Sequence, residues 1–193
     1  LPESLGAVKR YRMAAAEALG YEIDPEHPVF GLRAAGCAPV EVEGRTVSFA
    51  VNTSRDEKLW PEENWGELGR ALVERGFTPV VYWGGAKEEA RAKRVAALIP
   101  GAVVAPRARL KDVAAGLARA DLMVGVDTGL AHLAAALGCP SVGIFVATPT
   151  ETLRLIGDGP CESLGGTGQM PSPAEVLAAA ERVLARRNTL EKS

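Results

Sequence analysis

The chain has 193 residues, 47% of them hydrophobic, and a formal net charge of −2, which suits one domain of ordinary size with an appendage and falls short of two full α/β domains. Basic and acidic residues are interspersed, without the one-sided basic stripe of a nucleic-acid-binding surface, so a polymeric phosphate partner is not expected. Cys37, Cys139 and Cys161 lie far apart with no CxxC pair, which indicates neither a disulfide framework nor a zinc site and fits a reducing cytosol.

The first predicted element is a helix over 5–19 (LGAVKRYRMAAAEAL). It is followed by a proline-rich, irregular stretch, GYEIDPEHPVFGLRAAGCAP, that reads as a linker. A helix and linker ahead of a compact unit is what the tail of a preceding domain would leave, and a start at Leu1-Pro2 without methionine points the same way. A helix packed on the main sheet fits the pattern equally. Residues 1–45 are assigned to the tail and linker, and 46–193 to the main domain. There, short β-like runs alternate with longer helix-like runs. Strands are predicted at 46–51, 78–83, 102–104, 122–126 and 141–145, and helices at about 61–75, 86–98, 110–119, 129–137 and 172–187. The runs VVYW and LMVGV are almost continuously apolar, as expected of strands covered on both faces. Right-handed crossovers then give an α/β fold, a doubly wound, Rossmann-like parallel sheet whose ligands bind outside the carboxyl ends of the strands. The most apolar window, 129–147, is interrupted by His132, Gly138 and Pro140, and no signal peptide pattern opens the chain; a soluble protein is expected.

Each helix N-terminus exposes free N–H groups and about half a positive charge. The predicted helices at 61–75 and 86–98 open with Glu62-Glu63 and Lys87-Glu88-Glu89, and so answer their own dipoles. The helix after Asp127 opens Gly129-Leu130-Ala131-His132-Leu133, with no acid and with a glycine that lets a ligand approach the backbone. That terminus is the one best suited to an outside anion. Asp127 or Thr128 can also serve as a plain N-cap, worth about 1 kcal/mol. His132, one helical turn after Thr128, can point at the same anion or pack as a satisfied histidine. A second polar cluster, Asn52-Thr53-Ser54-Arg55-Asp56-Glu57-Lys58, follows the first strand. Its hydroxyls and cations suit phosphate oxygens, although a solvated loop fits the same residues. If both clusters lie at the carboxyl edge of one sheet, they can hold a diphosphate between them. Trp60, Trp65 and Trp83 offer an adenine-stacking face or, beside helix starts, simply pack. His27, His132 and the scattered acids have no metal-ligand spacing.

Three segments, TSRDEKLWPEENW at 53–65, WGGAKEEARAKR at 83–94 and VGVDTGLAHLAAALGCPSVGIF at 124–145, resemble the donor-binding half of the family 9 glycosyltransferases, the lipopolysaccharide heptosyltransferases. The motifs stand in the family's order and extend over nearly all of 46–147. RYRMAAAEALGY at 10–21 is similar to the family's last N-terminal-domain helix. The resemblance implies the two-domain GT-B architecture, of which this chain would carry the C-terminal half and the end of the preceding one. Carried over by motif, Thr53, Ser54 and Lys58 would contact the diphosphate of ADP-heptose, and Glu88 would hold ribose hydroxyls. Asp127, Thr128, Gly129 and Leu130 would form the phosphate and sugar turn, with His132 beside it. Asp127 is expected to accept from heptose hydroxyls or to cap the helix, because a carboxylate next to a diphosphate is otherwise repelled. The implied reaction is an inverting transfer of heptose to the Kdo sugar of a Kdo-lipid A type acceptor, without cofactor or metal, on the cytoplasmic side of the bacterial inner membrane. Its carboxylate base belongs to the N-terminal domain, which leaves this chain inactive alone. One stretch departs from the family: in place of a YGxTDP-like loop stands Phe145-Val146-Ala147-Thr148-Pro149-Thr150, so the resemblance does not vouch for that loop's contact with the sugar. The alternatives are a standalone nucleotide-binding module, or another GT-B enzyme acting on nucleotide sugars.

Overall fold

The computed structural model describes Pro2 and residues 5–190. Its elements run α1 (Ala7–Leu19), β1 (Arg45–Ala50), a 3₁₀ turn (Asp56–Lys58), α2 (Glu62–Glu74), β2 (Phe77–Val81), α3 (Ala86–Ala97), β3 (Val103–Val104), α4 (Leu110–Arg119), β4 (Leu122–Val126), α5 (Gly129–Ala136), β5 (Ser141–Phe145), α6 (Thr150–Leu153), β6 (Cys161–Gly165) and α7 (Pro173–Leu190). The six strands form one sheet in the order β3-β2-β1-β4-β5-β6, and every pairing is parallel. This is the doubly wound arrangement expected from the alternating pattern, with the strand order reversing between β1 and β4.

Side-chain alternation divides the core between the two faces of the sheet. Val47, Phe49 and Val51 join Leu122, Val124 and Val126 on one face, under Trp65, Leu68 and Leu72 of α2 and Val176, Ala179 and Val183 of α7. Ala50, Val80 and Met123 lie on the other, under Val113 and Leu117 of α4 and Ala131, Ala134 and Ala135 of α5. All five residues of β4 and of β5 are buried, as covered parallel strands require. At Gly125 an added Cβ would meet Ala131 and Ala50 Cβ at 3.2 Å, so the glycine lets α5 sit close against β4.

Besides the 3₁₀ turn at Asp56–Lys58, β6 and α6 were not predicted. β6 (CESLG) is an edge strand of half-buried residues, poor in β-branched side chains, that pairs along β5. The short helix α6 lies in the loop before it. The first segment belongs to neither core cluster: α1 buries only Ala16, Lys9 pairs with Glu26, and Arg12 donates to the Asp24 carbonyl at 2.9 Å. After it, the Asp158 carboxylate accepts from the Phe30 and Gly31 amides at 2.9 and 3.1 Å, and Val40 and Val42 pack against the α4–α5 side of the core. Among the described residues, no helix is long and apolar enough to cross a membrane.

Candidate functional site

The reversal of strand order brings the two polar clusters of the sequence together. β1 and β4 are neighbours, so the loop leaving β1 (Asn52 to Leu59) and the turn leaving β4 (Asp127-Thr128) emerge side by side at the carboxyl edge, where ligands of open α/β sheets bind. Thr53 Oγ1 donates to the Asp127 carbonyl at 3.0 Å and ties the two loops. Lys58 Nζ donates to Asp127 Oδ2 at 2.5 Å, a pair whose side chains are only 13% and 11% exposed.

Asp127 has two further neighbours. Thr148 Oγ1 donates to the same Oδ2 at 2.8 Å, and His132 Nε2 stands 3.8 Å from Oδ1. His132, Lys58 and Thr148 together hold the Asp127 carboxyl well below the usual carboxylate range, against the opposing effect of burial. At 3.8 Å the His132 contact is longer than a hydrogen bond, so the short bonds from Lys58 and Thr148 are the structural hold. A carboxyl so strongly ionised is suited to accept bonds from hydroxyls and ill suited to shuttle a proton near neutral pH.

Asp127 therefore does not cap α5. The residue at the cap position is Thr128, extended at φ −150°, and it makes no side-chain cap bond. α2, α3, α4 and α7 each carry an acid in the first turn, whereas α5, like α1, carries none. An added Cβ at Gly129 would meet nothing within 4 Å. The positive end of α5 thus opens toward the Lys58–Asp127 pair, which is the arrangement an outside anion needs.

A cleft of about 550 Å³ lies beside this point. Thr128, Gly129 and Leu130 form one wall, Trp83, Gly84 and Glu88 another, and Leu110, Val113 and Leu133 add apolar surface. Its mixture of flat apolar wall and few polar groups fits a nucleoside. Glu88 accepts the Gly84 N–H at 2.7 Å and lines this cleft as well as a neighbouring one of about 830 Å³, which Thr53 and Ser54 also line. The structure thus gathers Thr53, Lys58, Asp127, Thr128, Gly129, Leu130 and His132 at one point, with Glu88 across the cleft and Ser54, an exposed residue, on the adjoining wall. Arg55 faces solvent, paired with Glu57 at 3.2 Å, so of the two cations in its cluster only Lys58 reaches the site.

Three residues that the sequence named only in passing, within a cluster, a loop or a set of alternatives, take definite places. Thr148 belongs to the loop that departs from the family pattern, yet its buried hydroxyl reaches Asp127. Asn52 lines both clefts and donates to the Glu88 carbonyl at 3.3 Å. The tryptophans divide: Trp60 and Trp65 are fully buried and meet edge to face at 5.1 Å, whereas Trp83 lines the cleft, its indole N–H held by the Ala105 carbonyl at 2.6 Å. Nothing in the linear pattern separates Trp83 from the other two. The position of its strand end in the sheet does.

The chain is similar to proteins of one family. The family model described as glycosyltransferase family 9 (heptosyltransferase) matches residues 2–173. Lipopolysaccharide heptosyltransferase 1 of Pseudomonas aeruginosa PAO1 is 39% identical over 142 residues, which cover 74% of this chain and 40% of the relative; the chain spans less than half the length of that relative. Among solved structures, the E. coli heptosyltransferase WaaC with ADP aligns with a TM-score of 0.66 and 32% identity, over 93% of this chain and 56% of that one. The same enzyme with ADP-2-deoxy-2-fluoro heptose aligns with a TM-score of 0.63 and 32% identity, over 94% and 55%.

Proposed function

The chain belongs to glycosyltransferase family 9, and on that premise we propose that it is the donor-binding half of an inverting lipopolysaccharide heptosyltransferase of the heptosyltransferase 1 type, with ADP-heptose as donor. The observation that carries the reading is the convergence, at the β1–β4 reversal, of a shielded lysine, a loop hydroxyl and an open helix N-terminus beside a nucleoside-sized cleft. Adenosine occupies the cleft against Trp83 and Leu130, with its ribose toward Glu88. The diphosphate lies between the α5 N-terminus, Thr53, Ser54 and Lys58, and the heptose hydroxyls meet Asp127, with His132 beside them.

In the transfer, a hydroxyl of the acceptor Kdo attacks the anomeric carbon of the heptose, its proton passes to a carboxylate base, and ADP leaves from the opposite face. The negative charge growing on ADP is met by Lys58 and the α5 N-terminus, groups already in place before the reaction. The base is assigned, as the family resemblance implies, to a preceding N-terminal half, of which residues 1–45 are the tail and linker; the Asp127 carboxylate is already engaged by Lys58 and Thr148. The acceptor, a Kdo-lipid A type molecule, is bound by that half.

Calorimetric titration of the 193-residue chain with ADP tests the reading. Saturable binding without transfer from ADP-heptose is expected; no binding at millimolar ADP overturns the donor assignment, and heptose transfer by the chain alone overturns the placement of the base.

A further inference from the structure

Arg91 stands on α3, nearly one turn beyond Glu88, and its guanidinium makes three bonds in different directions. Nε donates to the Val51 carbonyl at 3.2 Å, Nη2 to the Trp60 carbonyl at 2.5 Å, and Nη1 to Glu62 Oε1 at 2.9 Å. Val51 and Trp60 are the two ends of the loop that carries Thr53, Ser54 and Lys58, and both are fully buried. The Arg91 side chain is itself only 13% exposed. Two other links join α3 to the loop: Asn52 donates to the Glu88 carbonyl at 3.3 Å, a single bond at one end of the loop, and Lys87 pairs with Asp56 at 3.0 Å, 85% and 73% exposed, and pairs so exposed hold little.

We propose that Arg91 is a positioning residue for the phosphate arm of the site: its planar fork closes loop 52–59 at the base and thereby sets where Thr53 and Lys58 stand relative to the α5 N-terminus. The inference rests on the donor-site reading above. Its physical basis is that two backbone carbonyls and one carboxylate, in three directions, match the fixed donor set of a guanidinium and not the point charge of an ammonium. Because Glu88 and Arg91 share one helix, α3 would hold both the nucleoside wall and the phosphate loop in register.

The test compares Arg91→Lys and Arg91→Ala with Arg94→Ala, whose guanidinium shares Glu62 and bonds neither loop carbonyl. ADP affinity is measured by calorimetry, adenosine affinity by ligand-observed NMR, and loop order by amide hydrogen exchange without ligand. Arg91→Lys is expected to fold and to bind ADP about tenfold more weakly, the size of losing hydrogen bonds from a charged donor, with adenosine binding unchanged and faster exchange confined to 52–59. Arg94→Ala should change none of these. Arg91→Lys binding ADP like the wild type, or losing ADP and adenosine by the same factor, overturns the positioning role. A wild-type chain that binds neither compound removes the donor site itself, and this inference with it, whereas wild-type binding beside an unaffected Arg91→Lys removes only the inference.

Discussion

Replacing Lys58 by Met removes the ammonium that Asp127 holds at 2.5 Å and leaves a carboxylate, 11% exposed, with Thr148 as its remaining short partner. Breaking a fully buried ion pair costs about 3–5 kcal/mol and an exposed one about 0–1. With both side chains shielded yet close to the surface, the expected loss is about 1–3 kcal/mol, or a fall in melting temperature of roughly 2–12 °C for a chain of this length. The cost depends on pH with a definite sign. The folded-state pKa of Asp127 is lowered, so its contribution is complete above an unfolded carboxylate's value of about 3.9 and is lost as the pH falls through the depressed value. The gap between wild type and Lys58→Met should therefore be smaller at pH 3 than at pH 7. For ADP, a lysine–phosphate pair at about 4 Å would be worth roughly 4 kcal/mol at an effective dielectric near 20. The ammonium already has Asp127 as partner, so the diphosphate exchanges one anion for another, and about tenfold to a hundredfold weaker binding is expected, the range of a charge-assisted hydrogen bond. Thermal melts at the two pH values and calorimetry with ADP read both effects. Wild-type affinity for ADP in a folded Lys58→Met chain would refute the placement of the diphosphate, and a pH-independent stability gap would refute the ion-pair account.

Gly129→Asp should separate stability from binding: the new side chain enters open space and favours the α5 dipole by about 0.3–1 kcal/mol, while its charge repels the diphosphate and weakens ADP binding by about tenfold or more. A variant that melts no lower than the wild type but binds ADP equally well would show that the helix end does not face the anion. Thr148→Val keeps the shape of a buried side chain and removes one donor to Asp127, so a loss of about 1–2 kcal/mol at neutral pH is expected; an unchanged melting temperature at pH 7 would mean that this hydroxyl adds nothing to the hold on Asp127.

Much of the fold was legible because its strands are covered on both faces. LMVGV and SVGIF coincide with β4 and β5 residue for residue, since a continuous apolar run bounded by turn residues leaves little freedom of assignment. β6 was not legible, because Glu162, Ser163 and Gly165 carry no strand signal; the free edge of β5 makes it a strand, and Arg182 and Arg186 hold Glu162 at 2.7 and 2.8 Å. In the site, the absence of an acid after Gly129 was visible in the linear text. The partnership of Lys58 with Asp127 was not, because it joins residues that only the β1–β4 pairing makes neighbours. Thr148 was hidden for a related reason: a hydroxyl in an altered loop has no linear mark of the carboxylate it will meet.

The reversal of strand order also governs when the site can come into being. β1 meets β4 across a sequence separation of 75, as in the bond from the Thr46 amide to Asp121. The remaining neighbours in the sheet are consecutive strands. Closing this longest loop costs the most chain entropy, and parallel pairing at such distance belongs to the slow part of folding. A chain that has built β1-β2-β3 and β4-β5-β6 as separate halves would have both polar clusters but not the Lys58–Asp127 contact that joins them. A ligand that bridges them recognises only molecules that have completed the join, and so draws the population toward the finished fold by mass action.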